Sequence, residues 1–209
     1  MTNLTGVVGL TSSQLRSIQK NSNPPCGVAA GPQLALVVFG AAQLSGFDLT
    51  GAAVWADDLR GANLSSVNMH GAFLAETNFS NANLTAANFT CADLSLAILT
   101  GSVGFTSTDL RSANGLGGIV LHGLNLSGFD FSNLDLYSIN DLPADFSSAN
   151  ASNAKFPGAN LSSANFTNTN LTGASGMSTA TLTGVTWNNT TCPDGTNSNN
   201  DGNTCVGHL

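Results

Sequence analysis

Four cysteines and three histidines are the side chains of this sequence that are best suited to covalent or metal chemistry. Cys192 and Cys205 bracket a loop that is rich in glycine and asparagine and has few apolar side chains to bury. A disulfide bond between them would close this loop and stabilise it by about 3 kcal/mol. Because such bonds persist in oxidising compartments, we expect an extracellular or periplasmic protein.

The same loop offers two metal alternatives. Zinc needs four ligands, and His208 is the one histidine near this cysteine pair, so zinc ranks below the disulfide. Calcium is the better rival, because the loop matches the start of a calcium-binding motif. Its candidate ligands are Asn197, Asn199 and Asp201. However, the twelfth position of the motif is His208 where a glutamate is usual, so calcium is a weak candidate and no cofactor is predicted.

The remaining cysteines, Cys26 and Cys91, have no evident partners in the sequence. Reduced thiols and a bond between subunits are both open. The histidines His70 and His122 have no acid or serine at a catalytic spacing. The sequence also lacks G-x-S-x-G, C-x-x-C, H-E-x-x-H and glycine-rich phosphate-binding motifs. We therefore predict that the chain is not an enzyme.

Large apolar residues recur every five positions, a period that fits neither an α-helix nor a β-strand. In the first array, a small residue often lies two positions before each of them, and Asn or Asp lies one position before. This first array contains Leu34, Phe39, Leu44, Leu49, Val54, Leu59, Leu64, Met69, Leu74, Phe79, Leu84, Phe89, Leu94 and Leu99. A second array contains Leu121, Leu126, Phe131, Leu136, Phe146, Ala151, Phe156, Leu161, Phe166 and Leu171. Its register fails at Asp141 and Gly176.

Units such as Gly61-Ala62-Asn63-Leu64-Ser65 and Asn81-Ala82-Asn83-Leu84-Thr85 match the pattern A-(D/N)-L-x-x. The chain thereby resembles the pentapeptide-repeat family over residues 34–176. The resemblance implies an all-β fold, a right-handed quadrilateral β-helix with four pentapeptides in each coil. The central residue and the residue two before it would point inward. The tail from Trp187 also resembles the tails of some members, which supports the Cys192–Cys205 bridge.

A longer pattern, of the type G-(L/F/M)-(T/S)-(S/T), occurs at Gly9, Gly104 and Gly176. In the first two copies, Thr11 with Gln14 and Thr106 with Asp109 have the spacing of a helix capping box, which predicts two short helices. The predicted organisation is one continuous solenoid. Its parts are an N-terminal helix and loop cap at 1–33, arrays at 34–103 and 119–187, a helical insertion at 104–118, and a cysteine-closed tail at 188–209.

Charged residues form only 8% of the sequence, and the net charge of −7 argues against a nucleic-acid partner. No uncharged run reads as a membrane helix. No basic segment follows Met1, so no signal peptide is expected. The N-terminal 33 residues carry two bases and the last 33 carry two acids. The candidate residues for head-to-tail assembly are Arg16, Lys20, Asp194 and Asp201.

From these features we predict a non-catalytic structural protein that self-assembles by end-to-end stacking of its coils into extracellular filaments, because the ends of a β-helix expose unpaired backbone groups. Its protein partner, beyond a second copy, is unknown. The family suggests an alternative, a DNA-mimicking protein that binds and protects gyrase. The acidic charge is sparse for that role. Ice or carbohydrate binding by a flat face ranks third, because His70 interrupts the closest threonine column.

Overall fold

The computed structural model describes residues 43–136 and 144–209. They fall into two compact units that divide between Gly115 and Leu116. The continuity of the two arrays stays a prediction. The predicted N-terminal helix at Thr11 and the register failure at Asp141 lie outside the described residues.

Unit 1 is built from coils of twenty residues. Isolated parallel bridges join residues one coil apart, from Gln43 with Asn63 to Asn83 with Val103. The bridged residue is the one directly before each central apolar residue, and we call this the ladder position. Each coil therefore contains four pentapeptides, as the resemblance implied.

A turn follows every central residue. The amide of Phe47 donates to the carbonyl of Leu44 at 3.1 Å, and the amide of Ala52 donates to Leu49 at 2.9 Å. The third residue of each turn has a positive φ, which is 71° at Gly46. Non-glycine residues occupy the same site elsewhere, including Cys91 at 60°. The third residue of each turn is therefore in the left-handed conformation. Each turn bends the chain from one face of the coil to the next.

The coils are joined by a regular set of backbone hydrogen bonds. The amide of a central residue donates to the next coil, as from Leu64 to the carbonyl of Asn83 at 2.8 Å. The third turn residue does the same, as from Gly46 to Ser65 at 2.9 Å. In return, the ladder residue of the next coil donates to the carbonyl two positions before the central residue. Each coil thus relies on its successor to satisfy its backbone groups.

The interior is apolar. Central residues other than the half-buried Leu182 are buried in both units, as are most of the residues two positions before them, as the repeat predicted. At three sites a threonine replaces the small residue, and its hydroxyl bonds a carbonyl of an earlier coil. These are Thr77 to Val54, Thr169 to Phe146 at 2.7 Å and Thr190 to Phe166 at 2.7 Å. The hydroxyls of these three threonines are therefore satisfied inside the core.

A short helix interrupts the coils in the described part of unit 1. Helix α1 spans Ser107–Ser112, and Thr106 and Asp109 form the predicted capping box. Leu110 of α1 is buried and fills the core. The detour begins at Gly104, where a Cβ would lie 2.5 Å from the Cα of Thr85. Only glycine fits this close approach of two coils.

Unit 2 departs twice from the twenty-residue coil. Its first bridges, such as Val120 with Asp145, join residues 25 apart. Its last bridges, such as Asn160 with Thr181, join residues 21 apart. The single extra residue accompanies Gly176, which precedes the short 3₁₀ helix Met177–Thr179. A Cβ on Gly176 would lie 2.5 Å from the backbone of Pro157, so the third copy of the longer pattern has the same steric cause as the second.

An aromatic stack forms the core of unit 2. The rings of Phe131 and Phe156 stack with centroids 4.9 Å apart, and those of Phe146 and Phe166 with centroids 4.7 Å apart. Trp187 extends the second stack, 5.3 Å from Phe166. Neighbouring stacks meet edge to face, which is a favoured aromatic geometry.

Candidate functional site

The outer faces carry columns of amides and hydroxyls. At the ladder position, the side-chain oxygen of Asn63 accepts the backbone amide of Ser65 at 3.2 Å. The same contact joins Asn78 to Ser80 at 3.0 Å. This local bond satisfies an amide at the start of each turn. It explains why the ladder position is so often Asn or Asp.

Ladder side chains also bond from one coil to the next. Asn88 donates its side-chain amide to the oxygen of Asn68 at 2.9 Å, and Asn68 donates to Asp48 at 3.4 Å. In unit 2, Asn160 donates to Asp135 at 2.9 Å. An ionised aspartate can only accept hydrogen bonds, so it fits the start of such a chain of donors. The sequence predicted that these residues face solvent. It did not predict that their side chains bond from one coil to the next.

The hydroxyl column follows the central residues. Ser45 and Ser65 lie 2.8 Å apart through their hydroxyls, and Ser127 and Ser152 lie 3.1 Å apart. His122 joins this pattern, because its Nδ1 lies 2.8 Å from the Ser147 hydroxyl. His122 therefore takes part in the hydrogen bonding between neighbouring coils.

An ion pair on the surface of unit 1 joins Arg60 and Asp58. Their closest nitrogen and oxygen atoms are 2.6 Å apart. The hydrogen bond from the Arg60 side chain lowers the pKa of the Asp58 carboxyl, and Asp58 in turn raises the pKa of Arg60. Because the Arg60 side chain is exposed, this pair contributes little to stability.

The edge of the last coil is covered by the C-terminal tail, residues 195–209. The amide of Cys192 donates to the Thr196 carbonyl at 2.7 Å, whereas Leu171, the equivalent central residue one coil earlier, donates to the next coil. The carbonyl of Thr190 accepts the amide of Ser198 at 2.9 Å in the same way. The tail thus takes the place of a following coil.

Two more edge amides find partners in the tail. The amide of Asn189 donates to the Asn199 side-chain oxygen at 2.8 Å, and the amide of Asp194 donates to the His208 carbonyl at 3.4 Å. Ser198 lies at the centre of this arrangement, fully buried. Its hydroxyl donates to the Trp187 carbonyl and accepts the amide of Thr190 at 3.0 Å. We call residues 195–209 with these contacts the end cap.

A disulfide bond holds the end cap to the last coil. Cys192 and Cys205, the pair predicted from the sequence, are joined with 5.4 Å between their Cα atoms. Both cysteines are buried, and Cys192 occupies a central position of its coil. Cys91 is also disulfide-bonded, so it is not the reduced thiol that the sequence left open. Its partner is not among the described residues, and Cys26 lies outside them too.

A histidine of the end cap bridges two carboxylates. Nδ1 of His208 lies 2.7 Å from Asp194, and its Nε2 lies 3.0 Å from Asp201. The hydrogen bond with Asp194 is the main cause of the raised pKa of His208. The pKa of Asp194 falls to about 2, mainly because the Thr196 hydroxyl bonds it, with further contributions from the Thr196 amide and His208. The protonated imidazole can donate to both acids at once.

The candidate calcium ligands serve this structure instead. Asn197 accepts the amide of Asn199 at 3.0 Å, and its side-chain amide donates to Asn189 at 3.0 Å. Asn199 accepts the amide of Asn189, and Asp201 faces His208. Calcium binding by these residues stays a prediction. Within residues 43–136 and 144–209, no cluster of three histidine, cysteine or acidic side chains is placed to hold a metal.

The structure describes two of the four assembly candidates. Asp194 and Asp201 come together at His208, which neither the charge pattern nor the motif analysis indicated. Arg16 and Lys20 lie outside the described residues. In the described part of the chain, no helix has the length and apolar character needed to cross a bilayer.

Sequence comparison identifies similar proteins. The family model for pentapeptide repeats matches eight copies, over residues 62–101, 77–114 and 144–175. No curated protein matches the chain. Among similar solved structures, HetL is a pentapeptide repeat protein involved in heterocyst differentiation regulation, from the cyanobacterium Nostoc sp. strain PCC 7120. It shows 28% identity over 79% of this chain and 76% of its own, with a TM-score of 0.38.

Two further structures are similar. QnrB1, a plasmid-mediated fluoroquinolone resistance protein, shows 18% identity over 74% of this chain and 83% of its own, with a TM-score of 0.40. Rfr23, a pentapeptide repeat protein from the cyanobacterium Cyanothece 51142, shows 30% identity over 52% of this chain and 58% of its own, with a TM-score of 0.28.

Proposed function

We propose that the chain is a non-catalytic structural protein of the pentapeptide-repeat family, whose model matches residues 62–114 and 144–175. This proposal rests on the hydrogen bonds that the outward side chains make within the structure. The amides and hydroxyls of the described faces bond to their own turn or to the neighbouring coil, as in the Asp48–Asn68–Asn88 ladder. These groups make the surface part of the framework that holds the coils together.

We further propose that the whole chain is a right-handed quadrilateral β-helix located outside the cytoplasm. The twenty-residue coils of unit 1 support four faces. The disulfide bonds at Cys192–Cys205 and at Cys91 support an oxidising compartment, because such bonds are rare where glutathione keeps thiols reduced.

Self-assembly by end-to-end stacking needs an open coil edge. At the C-terminal end, the end cap already bonds the backbone groups that a stacked coil would bond. We therefore propose that the oxidised protein remains as discrete particles, and that stacking through this end requires the cap to leave.

Sedimentation velocity and electron microscopy of the oxidised protein at high concentration test this proposal. We expect discrete particles whose mass does not grow with concentration. Ordered filaments of the oxidised protein would contradict it. Lysozyme at the same concentrations is the control for the effect of non-specific crowding on sedimentation.

A further inference from the structure

We propose that one face of unit 1 has a binding site for the rings of a neutral oligosaccharide, a function that goes beyond the proposed structural role. The site is an apolar patch that consists of Ala53, Trp55, Phe73 and Ala75. Ala53 and Phe73 occupy ladder positions of neighbouring coils and form a parallel bridge. Trp55 and Ala75 directly follow the central residues of the same two coils. All four residues therefore belong to the outer surface of one face.

The patch differs from the rest of the surface around it. In the two coils that contain it, residues 43–82, the other three faces carry a polar side chain at every equivalent position. Those side chains bond within the structure, as Thr50 does with Asp48 at 2.6 Å and Ser65 does with Ser45 at 2.8 Å. Alanine and phenylalanine side chains have no polar atoms for such bonds. Since the other faces form the same coils with polar residues, the coil itself does not require an apolar patch here.

The size of the patch suits a small ligand better than a protein. Neighbouring coils are about 4.8 Å apart, and residues along a strand are about 3.3 Å apart. Two coils and three residues therefore give a surface of roughly 10 by 10 Å, or roughly 100 Å². A stable protein interface needs about 800 Å² from each partner. The neighbouring faces of these two coils are polar, so the apolar surface does not extend around the coil. The patch matches the footprint of a ring-sized ligand.

Two aromatic side chains supply the stacking surface of the patch. Trp55 is 50% exposed, and Phe73 is half-buried. Because Phe73 bridges Ala53, it is the diagonal neighbour of Trp55, with about 8 Å between their backbones. The other two corners are the small residues Ala53 and Ala75, which leave the surface low between the rings. The face of an aromatic ring carries partial negative charge, which attracts the C–H groups on the flat side of a sugar ring.

Two carboxylates border the patch and provide hydrogen-bond acceptors for sugar hydroxyls. Asp93 follows Phe73 in the same ladder column and forms a parallel bridge with it. The amide of Ser95 holds the Asp93 carboxylate at 3.0 Å. Glu76 directly follows Ala75 and is exposed. Ionised carboxylates only accept hydrogen bonds, and the hydroxyls at the rim of a sugar ring donate them. Because these charges repel anionic sugars, a neutral sugar is the ligand that uses both the aromatic and the acidic groups.

Isothermal titration calorimetry of the oxidised full-length protein with cellohexaose tests the proposal. This probe is a neutral β-1,4-linked glucose oligomer whose equatorial hydroxyls leave the ring faces flat, and we expect saturable binding. Trp55→Ala should weaken this binding about tenfold, because it removes the larger stacking ring. Val103→Ala is the matched control, because Val103 is apolar, 58% exposed and lies in the ladder column of a different face. It should leave the affinity unchanged.

Fluorescence of Trp55 reports binding at the patch itself. The other tryptophan, Trp187, is buried in unit 2, so the variant Trp187→Phe leaves Trp55 as the sole emitter. We expect cellohexaose to change this emission with the same midpoint as in calorimetry. Hexagalacturonate, an anionic oligomer of the same length, should bind more weakly, because Glu76 and Asp93 repel its carboxylates. Choline chloride tests the competing cationic ligand, which aromatic rings beside acids also attract.

Four results would overturn the inference. Neither heat nor a change in Trp55 emission with cellohexaose would show that the patch is not a sugar site. Equal affinities of Trp55→Ala and the wild type would place any binding elsewhere. Binding of choline without binding of cellohexaose would assign the patch to a cationic ligand. Equal binding of hexagalacturonate and cellohexaose would refute the role of the two acids. The proposed function is tested by particle mass, so its failure is distinguishable from all four.

Discussion

Phe156→Ala tests the packing of unit 2 most sharply. Phe156 is fully buried, stacks on Phe131, and meets Phe146 and Phe166 edge to face. Removing a buried phenylalanine costs about 3–5 kcal/mol, of which aromatic pairing contributes about 0.5–1.5 kcal/mol. We expect a loss of about 4 kcal/mol. At about 2–4 °C per kcal/mol for a chain of this length, Tm should fall by about 8–16 °C.

Trp187 provides the assay, because it is buried against Phe166 in the same core. The other tryptophan, Trp55, is 50% exposed and lies in unit 1, so Trp55→Phe gives a clean background. Urea unfolding is then followed by the red shift of Trp187 fluorescence. This local reading matters because repeat proteins can unfold in parts.

Phe156→Leu is the matched control. It keeps most of the apolar volume and loses the ring contacts, and we expect it to cost about 1 kcal/mol. If Phe156→Ala and Phe156→Leu unfold at the same urea concentration, the dense aromatic core inferred for unit 2 is wrong.

Asn68→Asp places a second carboxylate beside Asp48 in the ladder and should lower the free energy of unfolding by about 1 kcal/mol in urea titrations; unchanged stability would refute the ladder. Thr106→Ala removes the capping box of α1 and should cost about 1 kcal/mol, with faster exchange confined to Ser107–Ser112. Protonated His208 faces Asp194 and Asp201, and its pKa is raised. Its charge therefore stabilises the closed cap fully below about pH 6.5. That stabilisation is lost as pH rises through the raised pKa, whereas the contribution of Asp194 is lost as pH falls through about 2. Exchange of cap amides should follow this profile, and His208→Gln should remove its upper limb. Peptide mapping without reduction should find Cys91 in a disulfide-linked peptide, and a free thiol there would contradict the structure.

The coil was predictable because one physical requirement repeats. A narrow interior needs one large and one small residue on each face, and this produces the five-residue period at positions such as Leu64 and Ala62. The capping box of Thr106 was predictable because it is local in sequence. The departures at Gly104 and Gly176 were visible as a pattern, but their cause was not. It is a close approach to residues of the preceding coil, Thr85 and Pro157.

The end cap was only partly predictable. The Cys192–Cys205 spacing indicated a closed loop, and the structure contains this bond. Nothing in the sequence marked Ser198 as a buried residue, because its role depends on carbonyl and amide groups of the last coil. His208 read as a failed calcium ligand, whereas it bridges two acids. Contacts between distant segments set these roles, so composition and spacing could not.

Hydrogen–deuterium exchange of the oxidised wild type tests the central claim, which is that the end cap completes the hydrogen bonding of the last coil. The diagnostic amides are those of Asn189, Cys192 and Asp194, with the equivalent amides of Asn168, Leu171 and Gly173 as internal references. We predict protection of the first set within the range of the second. Exchange at the rate of an unfolded peptide in the first set, with the references still protected, would contradict the account.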